Sequence, residues 1–270
     1  MYVKPLIFSI TRASFHDGDG IRTVVYLKGC NMRCRWCQNP EGLKKENEII
    51  FNKTKCIACN ICTGVCPHVN MGIVDRNLCV ACGKCAEACP VNALSVAGQD
   101  MSEEQLMDII LKDKLYYEQS GNGGVTFSGG ECLLYPDFMV QILKKCKENN
   151  INTLVESAFN VPWENIRKVL PYTDMLYVDV KHMDSDIHKM YTGCPNTLIL
   201  ENLKKLSLVT KNFLIRVPVI PGVNDDCENL RKTDKFTAEL GVKTQKLKYN
   251  NLAQSKYEAL SLPYEDFSGK

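Results

Sequence analysis

Two spacings of apolar residues alternate along most of this chain. In 102–120, SEEQLMDIILKDKLYYEQS, residues Leu106, Ile109, Ile110 and Leu115 recur at roughly helical spacing. Ser102 and Gln105 form a capping-box pattern at its start. The segment therefore predicts one helix. The β-branched run IRTVVYLK at 21–28 predicts a strand, and GGVTFSGG at 123–130 predicts another. Helix and strand signals then take turns: PDFMVQILKKCKENN, INTLVES, WENIRKVL, MLYVDVK, TLILENLKKLSLV, FLIRVPVIPG, DDCENLRKTDKFTAEL and VKTQKLKYN. About six strands separated by helices are the signature of parallel βα units. Whether such a sheet closes or stays open, its chemistry gathers at the C-terminal ends of the strands.

One stretch, about 50–98, breaks this alternation. It holds eight of the fifteen cysteines, all between Cys56 and Cys89. CIACNICTGVCP at 56–67 and CVACGKCAEACP at 79–90 share their cysteine spacing and their closing proline. The expected organisation is one large α/β domain from 1–49 and 99–270, with a small module at 50–98 inserted in it.

Composition adds little. Of 270 residues, 45% are hydrophobic and 24% charged, and the formal net charge is +2. No block of like charge suggests nucleic acid or a basic membrane-surface patch. No apolar run approaches the roughly 18 residues of a membrane span, and the N-terminal apolar run, with Pro5, is too short for a signal peptide. The expected location is the cytoplasm. In that reducing compartment, regularly spaced cysteines are expected to be metal ligands rather than disulfides.

The polar motifs fall at predicted strand ends. Cys30, Cys34 and Cys37 follow the first strand, and Gly129, Gly130 and Glu131 follow the second. Glu156 and Ser157 end the third, Lys181 the fourth, Pro221 and Gly222 the fifth and Asn250 the sixth. One shared site is expected.

The module's C-x2-C-x2-C-x3-C-P, written twice, is the bacterial two-cluster ferredoxin signature, in which the fourth cysteine of each run serves the other cluster. It assigns Cys56, Cys59, Cys62 and Cys89 to one [4Fe–4S] cluster, and Cys79, Cys82, Cys85 and Cys66 to the other. The competing assignment, structural zinc, usually takes pairs of C-x2-C with longer gaps. The loop GCNMRCRWCQNP has only three cysteines, at C-x3-C-x2-C with Trp36 before the third. That is the signature of radical S-adenosylmethionine enzymes. Three thiolates leave one iron open, where S-adenosylmethionine chelates and is cleaved to a 5′-deoxyadenosyl radical by an electron from a cluster near −700 to −400 mV.

Taken together, HDGDGIRTVVYLKGCNMRCRWCQNPEG (16–42), the repeat, GGVTFSGGE (123–131), VDVKHMD (178–184), HKMYTG (188–193) and IRVPVIPGVND (215–225) resemble the activating enzymes of glycyl radical enzymes. The match is to larger members with a ferredoxin-like insertion, and it covers nearly the whole chain. The resemblance implies a partial (β/α)6 TIM-like barrel with three [4Fe–4S] clusters. It implies hydrogen abstraction from a backbone glycine of a partner enzyme, a flavodoxin- or ferredoxin-type electron donor, and a monomer. It places Glu131 and Lys181 as contacts of S-adenosylmethionine. Glu156, Ser157 and Asp179 are implied to line that site and to help hold a monovalent cation, with Arg216 near the same pocket. The family pattern is departed from at Asp19, in place of a proline of HDGPG, at Cys132, in place of a proline after GGE, and at Asn250, in place of a histidine. The chain also stops earlier than the family pattern predicts, so that a final helix is expected to be missing. Cys132, Cys146, Cys194 and Cys227 have no ligand spacing and are expected to pack in the interior. A radical enzyme acting on a small molecule or another peptide is the alternative; an electron carrier without catalysis would need neither the open loop nor the GGE.

Overall fold

The computed structural model describes residues 2–269. In chain order its strands are β1 (Ile7–Ser14), β2 (Arg22–Leu27), β3 (Glu48–Phe51), β4 (Val69–Asn70), β5 (Ile73–Val74), β6 (Leu94–Ala97), β7 (Gly124–Gly129), β8 (Asn152–Ser157), β9 (Met175–Asp179), β10 (Phe213–Val219) and β11 (Thr244–Lys248). Its helices are α1 (Ile61–Val65), α2 (Lys84–Glu87), α3 (Glu103–Lys112), α4 (Lys114–Gln119), α5 (Pro136–Glu148), α6 (Trp163–Val169), α7 (Ser185–Thr192), α8 (Thr197–Val209), α9 (Cys227–Leu240) and α10 (Gln254–Ala259).

One sheet frames the molecule, in the order β1-β2-β7-β8-β9-β10-β11. The six predicted strands, β2 and β7 to β11, are parallel throughout. β1, which the sequence pattern does not reveal, pairs antiparallel with β2 at one edge. β2 and β7 are buried on both faces, as parallel strands covered by helices must be. α3, α5, α6 and α8 supply the cover, with Leu106, Ile110, Phe138, Ile142, Ile166 and Leu203 in the main core.

The helix predicted across 102–120 starts as expected. Ser102 caps it, and both halves of the capping box are made with Gln105. It breaks at Asp113, between α3 and α4. The cause is tertiary: Arg12 Nε donates to Asp113 Oδ2 at 2.9 Å, and Thr23 Oγ1 donates to the same oxygen at 2.6 Å. Tyr117 extends the network by donating to Thr23. The Arg12 guanidinium holds the Asp113 carboxyl below its usual range, against the opposing effect of burial. A depressed folded-state pKa gives stability that is present above the unfolded value and lost as pH falls through the folded one. Asp113→Asn is therefore expected to cost about 2 kcal/mol near neutrality, the worth of hydrogen bonds to a charged group. Urea denaturation should show the gap from wild type closing below about pH 3.9.

β3 and β6 form an antiparallel pair, with Glu48 opposite Ala97 and Phe51 opposite Leu94. They bracket both cysteine runs, so the paired neck begins at Glu48, just before the expected boundary at residue 50. The neck is fastened to the main sheet by Lys28, a fully buried side chain that donates to the Glu41 carbonyl at 2.6 Å and pairs with Glu48 at 3.3 Å. Inside the module the two runs fold alike. Ala58 and Ala81 take φ of 54° and 52°, Asn60 and Gly83 follow at 63° and 85°, and α1 and α2 come next. Non-glycine residues seldom adopt this left-handed backbone, so its recurrence at matching positions marks two equivalent loops. Their small core comprises Ile49, Cys62, Val69, Val74, Cys85 and Leu94.

Candidate active site

The loop after β2 is shaped by backbone contacts to two other segments, the turn at 40–43 and the end of α7. Gly29 N–H donates to the Gly42 carbonyl at 2.8 Å, and Cys30 N–H to that of Leu43 at 3.2 Å. Arg33 and Arg35 N–H groups donate to Thr192 and Tyr191 carbonyls at 2.7 and 3.0 Å. These last acceptors are free because they end α7, where carbonyls lack partners within the helix. Trp36 is buried against Tyr191 and Phe267, ring centres 6.1 and 6.0 Å away. Arg35 pairs with Glu265 at 2.6 Å, fastening the chain's last segment beneath the loop.

Cys30, Cys34 and Cys37 open into a cavity of about 260 Å³ at the C-terminal ends of the parallel strands. The cavity is also lined by Trp36, Gly129, Gly130, Glu156, Ser157, Asp179, Lys181 and Arg216. Eleven of the expected site residues thus share one continuous space. Burial pushes the Cys30 thiol up to about 11 and the Cys34 thiol up to about 12. Lys181 works the other way on both. Burial opposes the charge of Lys181 itself, but Asp179, accepting its Nζ at 2.7 Å, and the Cys34 and Cys30 thiols together outweigh that and raise it.

Two predicted residues sit differently. Glu131 does not line the cavity: its carboxylate is buried and accepts from Ser157 Oγ at 2.8 Å, Ala158 N–H at 3.0 Å and Leu133 N–H at 3.1 Å. It ties the ends of β7 and β8 together. Asn250 is exposed, in a neighbouring groove with Lys248 and Tyr249, and reaches the site only through its carbonyl, which accepts from Gln38 at 3.1 Å. The two glycines also act on protein rather than on a ligand alone. A Cβ at Gly130 would stand 2.3 Å from the Gly29 carbonyl oxygen and 2.5 Å from that of Gly42. At Gly129, with φ of 118°, it would stand 2.3 Å from Leu27 N. Glycine is needed here so that β7 can nest against the cysteine loop.

The floor of the cavity holds a buried ion pair. Arg216 donates to Glu156 Oε1, and Ser128 Oγ donates to Glu156 Oε2 at 2.8 Å. Burial raises the Glu156 carboxyl, and Arg216 opposes that. Arg216 also lies 5.0 Å over the Tyr177 ring. Below, Arg22 is fully buried and spends its guanidinium on Thr126, Val125, Asn122, Asn152 and the Asp19 carbonyl. Asp19 is exposed and serves through its carbonyl, so the proline usual there is dispensable. Cys132, replacing the other proline, is the first residue of a 3-10 turn, where an N–H needs no partner and either residue fits. Cys132 and Cys146 pack inside as expected, Cys194 is half-buried, but Cys227 is exposed at the start of α9.

Seven of the module's eight thiols fall into two groups across the repeat. A cavity is lined by Cys56, Cys59, Cys62 and Cys89 together. Cys85 has Cys66 and Cys79 as its charged neighbours. Among the described residues no three His, Cys, Asp or Glu side chains converge at single-ion distance, and a cubane does not ask for that, since its thiolates bind separate irons. The sulfurs are instead met by backbone donors: Met32 N–H to Cys30, Ala58 to Cys56 and Ala81 to Cys79, each at 3.4 Å, and Ala93 to Cys89 at 3.2 Å. Such donors suit thiolates and tune iron–sulfur potentials. Around Cys89, burial is outweighed by the N–H groups of Leu94, Val91, Ala93 and Asn92, and its thiol is pushed down. The donor set fits iron–sulfur clusters.

Comparison with known proteins agrees with this arrangement. The family described as the radical SAM superfamily matches residues 24–233. The (2S)-3-sulfopropanediol dehydratase activating enzyme of Klebsiella oxytoca is 44% identical, over 96% of this chain and 86% of that protein. The trans-4-hydroxy-L-proline dehydratase activating enzyme of Clostridioides difficile is 39% identical, over 97% and 90%. Among solved structures, Streptococcus suis SuiB bound to precursor peptide SuiA is similar in fold alone, with a TM-score of 0.50 and 16% identity over 62% of this chain and 36% of that one.

Proposed function

This chain belongs to the radical SAM superfamily, and from that premise we propose that it is the activating enzyme of a glycyl radical enzyme. The observation that carries the reading is the single cavity with three thiols on one wall and Gly129, Gly130, Asp179, Lys181 and Arg216 on the others. Cys30, Cys34 and Cys37 would hold a [4Fe–4S] cluster with one open iron. When bound, that cluster supplies the electron that cleaves S-adenosylmethionine, whose radical fragment takes a hydrogen atom from a backbone glycine of the partner enzyme.

The chain's own residues prepare this. The open edge of the parallel sheet supports a partial (β/α)6 barrel, with room at its side for a glycine-bearing loop. Gly129 and Gly130 seat the β7 turn so closely that its backbone faces the thiols across the cavity. Glu131 holds Ser157 and Ala158 in place, Lys181 sets a cation beside the thiols, and both are the expected contacts of S-adenosylmethionine. Asp179 and Glu156 are the carboxylates suited to a monovalent cation. Met32, Trp36, Leu43 and Leu247 give apolar walls that keep water from a reactive carbon radical. The two sorted thiol groups of the insertion support two further [4Fe–4S] clusters, Cys56, Cys59, Cys62 with Cys89 and Cys79, Cys82, Cys85 with Cys66, in a ferredoxin-like domain that receives electrons from a flavodoxin- or ferredoxin-type donor.

The test is anaerobic incubation of the iron-loaded protein with dithionite and S-adenosylmethionine. It is expected to hold about twelve irons per chain, to release 5′-deoxyadenosine, and to give a glycine-centred EPR doublet only with the partner present. Fully loaded protein that never cleaves S-adenosylmethionine would refute the reading.

A further inference from the structure

The two cysteine runs lie between residues 56 and 89, and the β3–β6 neck alone would leave them on a two-stranded stalk. Among the described residues, one side chain ties them by hydrogen bonds to the rest of the chain. Arg76, in the link between the runs and three residues before Cys79, donates through one terminal nitrogen to the Ile49 carbonyl in the neck and through the other to the Ala259 carbonyl at 3.0 Å. Ala259 ends α10, so its carbonyl is one the helix leaves open. Two residues back along α10, Tyr257 is buried beside the thiols of Cys34 and Cys37. Lys256, next to it, donates to the Gln38 carbonyl and to Asn39 Oδ1, both at 3.0 Å, on the segment leaving the cysteine loop. Arg76 also has the Cys79 thiol as a charged neighbour, together with Glu48.

The neck gives the same orientation independently. Its Glu48–Ala97 end is fastened to the main sheet and its Phe51–Leu94 end points away. The cavity of Cys56, Cys59, Cys62 and Cys89 is lined by Phe51, Ala93 and Leu94, at the far end. Gly83, in the second run, lies against Val96, nearer the sheet, with a Cβ there only 3.4 Å from the Val96 side chain.

We propose that Arg76 is the positioning residue that seats the Cys79 run on α10, making the group of Cys66, Cys79, Cys82 and Cys85 the inner one and that of Cys56, Cys59, Cys62 and Cys89 the outer one. This rests on the three-cluster reading above. A guanidinium is needed because its planar fork can serve two carbonyls at once while leaving its charge beside Cys79; an ammonium carries the charge without the fork.

Arg76→Met and Arg76→Lys separate the two roles in the anaerobically loaded full chain. Hydrogen exchange of α10 amides is expected to quicken about tenfold in both variants, the factor lost with one charge-assisted hydrogen bond. In an EPR-monitored redox titration, Arg76→Met is expected to move one of the two module signals to lower potential, because a neighbouring cation stabilises the reduced cluster. Arg76→Lys should leave both signals in place. The signal that moves should also be the one whose spin relaxation is faster when the Cys30–Cys34–Cys37 centre is reduced. Unchanged α10 exchange, a shift of both signals or of neither, or a shift of the slowly relaxing one would overturn the proposal. Iron near four per chain would instead strike down the three-cluster reading, and the exchange measurement would still decide the seating.

Discussion

Cys34→Ala is expected to abolish cleavage of S-adenosylmethionine and to lower the iron content from about twelve to about eight per chain. The effect should be total because the open-iron arrangement has no ligand to spare. Seven of the eight module thiols group among themselves, and Cys132 and Cys146 are fully buried and do not line the cavity. The structural cost should be small, since the loop is held by backbone bonds from Gly29, Cys30, Arg33 and Arg35 that an alanine at 34 leaves intact. Iron analysis with Mössbauer spectra checks the count, and chromatography of 5′-deoxyadenosine checks the activity. Retained cleavage, or loss of all twelve irons, would contradict the assignment of Cys34 to a centre separate from the module.

Arg216→Met should be the most damaging change that leaves every thiol in place. Arg216 and Glu156 are paired with side chains only 13% and 17% exposed, so removing the cation strands a carboxylate in a low-dielectric pocket. Breaking one side of such a pair typically costs 3–5 kcal/mol, roughly 10 °C in melting temperature for a chain of this size. The companion Arg216→Met with Glu156→Gln removes both charges and is expected to recover most of that loss, because an uncharged amide can still accept from Ser128. Thermal melting of the three proteins decides the matter; a double variant no more stable than Arg216→Met would mean that the guanidinium acts by packing on Tyr177 rather than by charge. The double variant is still expected to form little glycyl radical, since the cavity floor has lost both its charges.

Much of this was legible because β2 and β7 are buried on both faces and read as short β-branched runs, with motifs at their ends. The site followed from that register: Cys30, Glu156 and Lys181 needed only to stand at the right ends of neighbouring strands, whereas Arg216, within β10, was legible only from the resemblance. What escaped depends on partners far away in the chain. β1 is a half-exposed edge strand whose polar Ser9, Thr11 and Arg12 mask any period. The break at Asp113 is imposed by Arg12, about a hundred residues earlier, against a sequence that favours helix. The bonds that Glu131 accepts from Ser157, Ala158 and Leu133 likewise show only in the folded chain. α7 is short and polar, and its value lies in the carbonyls at its end. Nothing in SLPYEDFSG marks Phe267 for complete burial under Trp36.

That last contact bears on the order in which the protein can mature on the ribosome. The thiols of the module are all synthesised by residue 89, and their neck is complete by Ala97. The loop of Cys30, Cys34 and Cys37 emerges first, yet its supports arrive with Tyr191 and Thr192, and its underside closes only with Phe267. The earliest cysteines made are thus the last to be housed. Until Phe267 is made they stand in an unfinished cradle, while the module's thiols already have theirs.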